Sequence, residues 1–374
     1  MIPPCSAIPK APVRRCSESS TLNRCVPGDF QAVHIDYIVI RNALTLSGLL
    51  ALSVGSQLAI AQVPEFSVWL EALRAEAIEA GISAATVGEA LAGVLPVERV
   101  TELDRNQPEF RLDFWGYLDR VVSNTRIDQG RAHLAEHSEM LEDVASRYGI
   151  PPQVLVAAWA IESNFGRTQG SFSVISALVT LAYDERRAAF FRAELLHALR
   201  ILDEGHISLE NMLGSWAGAM GQLQFMPSTF IDYARDGDGD GRKDIWTNEA
   251  DAVESAANFM ARAGWQPGYI WGRQVTLPEA FDTEMEGLDT SKPLAEWQSL
   301  GVRTISGADL PAVDISGSVV LPSDDIEPAF LVYQNYRTIM RWNRSHLFAI
   351  SLGHLADRIS GKPRLQNNHG DASD

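Results

Sequence analysis

Cysteine is almost missing from this 374-residue chain, and its three copies, Cys5, Cys16 and Cys25, all fall at the N-terminal end. Beyond position 61 there is none. No disulfide can therefore hold the body of the protein, and a hydrophobic core must do so alone. Positive charge is also scarce, with 31 Lys and Arg against 48 Asp and Glu, a net charge of −17. A protein that grips nucleic acid regardless of sequence needs a cationic face to displace counterions, so that class is excluded and no nucleic-acid partner is expected. The same deficit gives no attraction to anionic membrane surfaces; its direct consequence is solubility. No apolar run reaches the ~18 residues of a membrane-spanning helix. There is no GxGxxG, P-loop, nucleophile elbow, internal repeat or low-complexity tract. The eight histidines show no metal pattern: His133 and His137 stand four apart, but no third ligand or HExxH glutamate accompanies them. An exposed helix face is expected for that pair.

What is present is ordinary globular material, 46% hydrophobic and 21% charged. The first 61 residues read differently from the rest. Arg41 precedes an apolar run from Ala43 to Val54, and Ala59-Ile60-Ala61 places small residues at −3 and −1 of a cleavage point. That is the order of a secretory signal peptide. The expected mature chain starts near Gln62, carries no lipid-bearing cysteine and so no membrane anchor, and lies in the periplasm. The alternative is an uncleaved buried helix. Residues 1–40 are assigned no structure, and residues 62–374 are expected to form one catalytic-sized domain.

Apolar spacing predicts helices over 65–80, 131–148, 186–203 and about 343–359. Between Gly272 and Phe330, β-branched residues alternate with Gly, Pro and Asp, which predicts short inserted strands. The fold class is therefore α+β, predominantly α. Pro151-Pro152 opens a further helix, and Leu155, Trp159 and Glu162 share one of its faces. Gly166 is expected to end it. A glutamate at the end of an apolar helix is disfavoured as a carboxylate by both low dielectric and the helix dipole. A carboxylic acid still protonated near neutral pH suits proton donation to a glycosidic oxygen. The competing reading is a rim glutamate paired with Arg167. Asp184 and Glu185, next to Arg186 and Arg187, read as a solvated ion-pair cluster.

The segments IESNFG, SFSVISALVTLAYDERRAAFFRAEL, SWAGAMGQLQFMPSTF and DGDGDGRKDIW occur in that order. This resembles the lytic murein transglycosylase B family over roughly residues 64–360. The resemblance implies a lysozyme-like core with a small inserted β part, and Glu162 as a single acid/base. The substrate would be the peptidoglycan glycan strand, cut between N-acetylmuramic acid and N-acetylglucosamine to leave a 1,6-anhydro ring. A hydrolytic muramidase and a catalytically silent scaffold are the alternatives. Other cell-wall enzymes are candidate partners, and a monomer is expected.

The same resemblance places Tyr117, Ser215, Gln224 and Asn343 at the substrate. Residue chemistry gives independent readings. Gly218 and Gly221 let a backbone approach closely, either to a sugar or in tight packing, and Gln224 offers both donor and acceptor. The family shows Tyr-Asn where this chain has Trp342-Asn343, followed by Ser345; Trp342 offers a face for a pyranose ring. Finally, Asp236, Asp238 and Asp240 occupy positions 1, 3 and 5 of an EF-hand-like loop, with Gly241 at position 6 and the Arg242 carbonyl at position 7. Position 12 is Thr247; by resemblance Asp251 closes the loop, whereas by spacing from Asn248 it reads as a helix cap. Asp244 is either a water-mediated ligand or solvated. A structural calcium ion over 236–251 is the expectation, with no cofactor for catalysis.

Overall fold

A computed structural model describes residues 65–105, 113–323 and 328–367; the signal segment and the cysteines lie outside them. The first half is helical: α1 (Phe66–Glu79), α2 (Ala84–Ala90), α3 (Glu98–Arg105), α4 (Phe114–Val121), α5 (Asn124–Glu136), α6 (Ser138–Tyr148) and α7 (Pro152–Ser163). Strand β1 (Phe172–Ser173) leads into α8 (Val174–Tyr183) and α9 (Ala188–Asp203), and β2 (Leu213–Gly214) pairs back antiparallel to β1. Next come α10 (Pro227–Tyr233) and α11 (Glu249–Arg262). The β part consists of β3 (Gly272–Thr276), β4 (Lys292–Pro293), α12 (Leu294–Ser299), β5 (Arg303–Thr304), β6 (Ser316–Val320) and β7 (Ala329–Val332). Helices α13 (Gln334–Trp342) and α14 (His346–Ile359) finish the described chain.

The helix α7 is the centre of this arrangement. Residues 154–160 are all buried, and α5, α6, α11 and α14 pack around it. That is why its sequence is apolar on every side instead of along one stripe. The five strands form one antiparallel sheet in the order β4-β6-β7-β3-β5. Its register, with Gly272 opposite Val332 and Val319 opposite Leu331, turns one face onto a separate small core. Trp297, Phe281, Leu294, Val302 and Leu331 fill that core. The inserted strands expected over 272–330 are thus present, with α12 among them.

Three helix boundaries differ from the sequence expectation. The helix expected over 131–148 is two helices broken at His137, whose φ and ψ are −104° and 23°. The late helix starts at His346, because Ser345 caps it and α13 stops at Trp342. The α7 helix ends at Ser163, not at Gly166. Asn164 and Phe165 already have φ of 50° and 60°, and Gly166 follows at 77°. Asn tolerates the left-handed region better than most residues, and Ser163 Oγ accepts from the Gly166 amide, which closes the turn.

Candidate active site

Because α7 stops at Ser163, Glu162 sits in its last turn, where the unpaired carbonyls disfavour a negative charge. The side chain keeps partial solvent contact but is densely surrounded by protein. Burial pushes its carboxyl up from the usual range to about 8, and a hydrogen bond from Trp342 opposes that rise. Trp342 Nε1–H donates to Glu162 Oε1 at 2.9 Å. No arginine among the described residues pairs with Glu162, so the rim ion-pair reading is not what the structure holds. Trp342 comes from the end of α13. Its ring is fixed between Phe225 (centroids 5.3 Å) and Phe259 (4.9 Å), so it holds the carboxyl instead of standing free as a platform. Trp159, one turn before Glu162, donates Nε1–H to the buried Gln222 Oε1 at 2.7 Å.

The other expected site residues divide. Tyr117, on α4, is half-buried and near enough for the charge of Glu162 to help raise its phenol pKa, after burial and against Arg126. Ser215 Oγ accepts from the Ala217 and Ala219 amides, so it stabilises its own turn. Gln224 has φ of 50°, and its Nε2 donates to Gln169 O and Gly221 O. Both of those hydrogen bonds are made to the backbone of the surrounding loop. Gly218 and Gly221 serve packing: a Cβ would meet Leu178 at 2.5 Å and Ile245 at 2.7 Å respectively. Asn343 caps α13 and its side chain is exposed. Asp184 pairs with Arg105 and the buried Asp104 with Arg186 and Arg187, as an ion-pair cluster.

In the acidic loop, Asp236, Asp238 and Asp251 each bring one carboxylate oxygen within 4.8 Å of the others. Asp251 is fully buried; its Oδ1 accepts from Gly237 N at 2.7 Å and its Oδ2 from Asp244 N at 2.5 Å. Burial, and the charges of Asp238 and Asp236, raise its pKa to about 6 against those two hydrogen bonds. Asn248 itself caps α11, so Asp251 faces the loop and is not the reciprocal cap. Asp240 turns away, toward the Arg242 guanidinium at 3.2 Å. Asp244 is buried and accepts from Trp246 N, Thr247 N and Thr247 Oγ1, which leaves it neither solvated nor free.

A family model described as a transglycosylase SLT domain matches residues 65–357. The chain belongs to that family. The SltB3 of Pseudomonas aeruginosa, solved with NAG-anhNAM-pentapeptide and again with NAG-NAM-pentapeptide, is 44% identical and superposes with a TM-score of 0.78, covering 80% of this chain and 81% of that one. The soluble lytic transglycosylase SltB1 of the same organism is 29% identical, with a TM-score of 0.69 over 78% of this chain and 98% of that one. The membrane-bound lytic murein transglycosylase B of Escherichia coli K12 is 28% identical over 257 residues, which are 65% of this chain and 66% of that protein. The lysozyme-like α-rich fold expected from the sequence is the fold of these relatives.

For this SLT-domain chain, sequence reasoning missed the Trp342–Glu162 bond, because 180 positions separate the pair. It also missed Gln222 and Gln169, whose only sequence signal is the polar interruption of otherwise small and apolar segments.

The raised pKa has a consequence for stability. A carboxyl that ionises near 4.5 when unfolded and near 8 when folded holds its proton more tightly in the folded chain. Its contribution is therefore fully present below pH 4.5 and is lost as pH rises through 8. Glu162→Gln, which cannot ionise, is expected to match the parent at pH 4. Above that it should become more stable than the parent by on the order of 1 kcal/mol per pH unit up to pH 8. Urea midpoints at pH 4, 6 and 8 check this; a constant difference across the three would contradict it.

Proposed function

We propose that this chain is a peptidoglycan lytic transglycosylase in which Glu162 alone serves as acid and then base. The single observation that carries the reading is the carboxyl of Glu162, lifted toward neutrality by burial and held by one tryptophan N–H. In the proposed sequence the protonated Glu162 gives its proton to the bridging oxygen of a muramic acid–glucosamine bond. The C1–O bond breaks and the glucosamine leaves with its hydroxyl. The substrate's acetamido group stabilises the cationic centre. Glu162, now a carboxylate, takes the proton of the C6 hydroxyl of the same muramic residue, and O6 closes onto C1. Glycosidases that hydrolyse generally use a second carboxylate. Among the described residues no other carboxylate is close enough to shift Glu162 by its charge, which supports the one-glutamate scheme. The ligands of the Pseudomonas SltB3 structures support a glycan strand with muramic acid as the substrate class. Trp342 acts as a positioning residue by tying Oε1 and leaving the other oxygen for chemistry. Tyr117, whose phenol feels the charge of Glu162, is a candidate for a substrate contact.

We also propose secretion to the periplasm, on the charge, apolar run and small-residue cleavage point of residues 41–61. No described helix is long and apolar enough to cross a membrane. One experiment tests both readings. Protein recovered from the periplasmic fraction is expected to begin near Gln62 and to release anhydromuropeptides from purified sacculi, identified by mass. Glu162→Gln should lose at least ~10²–10⁴-fold of that release. A full-length chain confined to the cytoplasm would refute secretion. Products with reducing ends, or a variant within a few-fold of the parent, would refute the mechanism.

The acidic loop fits a calcium ion acting on stability and not on chemistry. Asp236, Asp238 and Asp251 would supply carboxylate oxygens, with the Arg242 carbonyl on spacing; Asp240 would join them only by releasing the Arg242 guanidinium. Three carboxylates so close repel one another without a cation, and a hard dication with oxygen ligands relieves that. An ion binding only the folded chain at ~100 times its Kd adds about 2.7 kcal/mol. Calcium added to chelator-stripped protein should therefore raise Tm, and Asp236→Asn with Asp238→Asn should remove the response. An unchanged melting curve at millimolar calcium would contradict it.

A further inference from the structure

The break between α5 and α6 places His133, Glu136 and His137 around one point. His133 Nδ1 lies 3.4 Å from His137 Nε2, and Glu136 Oε2 lies 3.8 Å from each of them. The nearest position equidistant from those three atoms lies in their plane, about 2.1 Å from each, close to the bond length zinc takes with imidazole nitrogen and carboxylate oxygen. A fourth group completes the pattern. His137 Nδ1 is 3.3 Å from Glu249 Oε2, on the first turn of α11. A carboxylate there takes the Nδ1–H and leaves the Nε2 lone pair pointing at the shared centre, as in carboxylate–histidine–metal arrangements. The two imidazoles are not on an exposed helix face as expected: their side chains are 16% and 18% exposed. Their rings are nearly parallel, 11° apart with centroids 5.6 Å apart, so the two nitrogens face each other edge to edge; His133 stacks on Phe165 at 4.4 Å, and both meet Trp159.

We propose that His133, His137 and Glu136 bind a divalent transition-metal ion of the zinc class, with Glu249 fixing the tautomer of His137. Two nitrogens and one carboxylate suit such an ion and not calcium, which takes oxygen ligands. Two nearby carboxylates match its charge. Its three ligands lie outside the acidic loop, although Glu249 stands two residues before Asp251 on the first turn of α11, and its role is structural. It fastens the end of α5 to α11 and backs Phe165, three residues beyond Glu162. The competing description is a metal-free Nδ1–H···Nε2 hydrogen bond, long at 3.4 Å.

The test is isothermal titration of the chelator-stripped full chain with Zn²⁺, with calcium in excess to occupy the acidic loop. One ion per chain is expected. Glu136→Gln, at a largely exposed position that leaves packing intact, should weaken binding by more than about 10-fold, and Glu249→Gln by about 10–100-fold. Cobalt(II) should give the visible bands of a tetrahedral nitrogen–oxygen site, and His137→Gln should abolish them. Absence of saturable uptake would overturn the proposal. So would uptake unchanged in Glu136→Gln and His137→Gln.

Discussion

A helix buried on nearly all sides leaves little choice about what its last turn can carry. In α7 the residues 154–160 are packed away from water, yet Glu162 follows directly. Moving a charged carboxylate into such a setting is far more expensive than moving the neutral acid, so the fold keeps the proton on and shifts the pKa to about 8. Everything around the site is arranged with respect to that one group. Trp342 gives a single N–H to one oxygen, enough to fix the rotamer without supplying the full charge of an arginine. An ion pair there would pull the pKa back down and leave no proton to donate.

The support for this arrangement comes from distant parts of the chain. Phe225, on the loop before α10, and Phe259, on α11, fix the ring of Trp342 at the end of α13. Gln222, on the loop that carries Phe225, takes the Trp159 N–H. That loop is held by Gln224, which donates to Gln169 and Gly221, and by glycines that press against Leu178 and Ile245. Ser215 and Gln224 thus also hold the shape of that wall. The rigidity is consistent with the need of a general acid for geometry fixed to fractions of an ångström.

Much of this was readable from residues alone where the signal was local. The all-apolar run before Glu162, the Pro pair that opens it and the alternating aspartates of 236–240 each report their own conformation. The inserted strands were legible from the change of texture after Gly272. What could not be read is non-local. Nothing near Trp342 announces a partner 180 positions away, and nothing in the pairing of His133 with His137 announces Glu249 of α11. Periodicity also runs straight through His137, so one helix was expected where there are two; backbone angles at one residue leave no trace in an apolar pattern. Asp240 lies at the right spacing for the loop but meets Arg242, a competition that alternation cannot reveal.

The central claim is that Glu162 remains a neutral acid near physiological pH. Isotope-edited infrared difference spectra, comparing the parent chain with Glu162→Gln across pH 4–10, address it directly. The account predicts a carboxylic acid C=O band assigned to Glu162 that persists through pH 7 and gives way to carboxylate stretches around pH 8. A band already lost by pH 5 would contradict it.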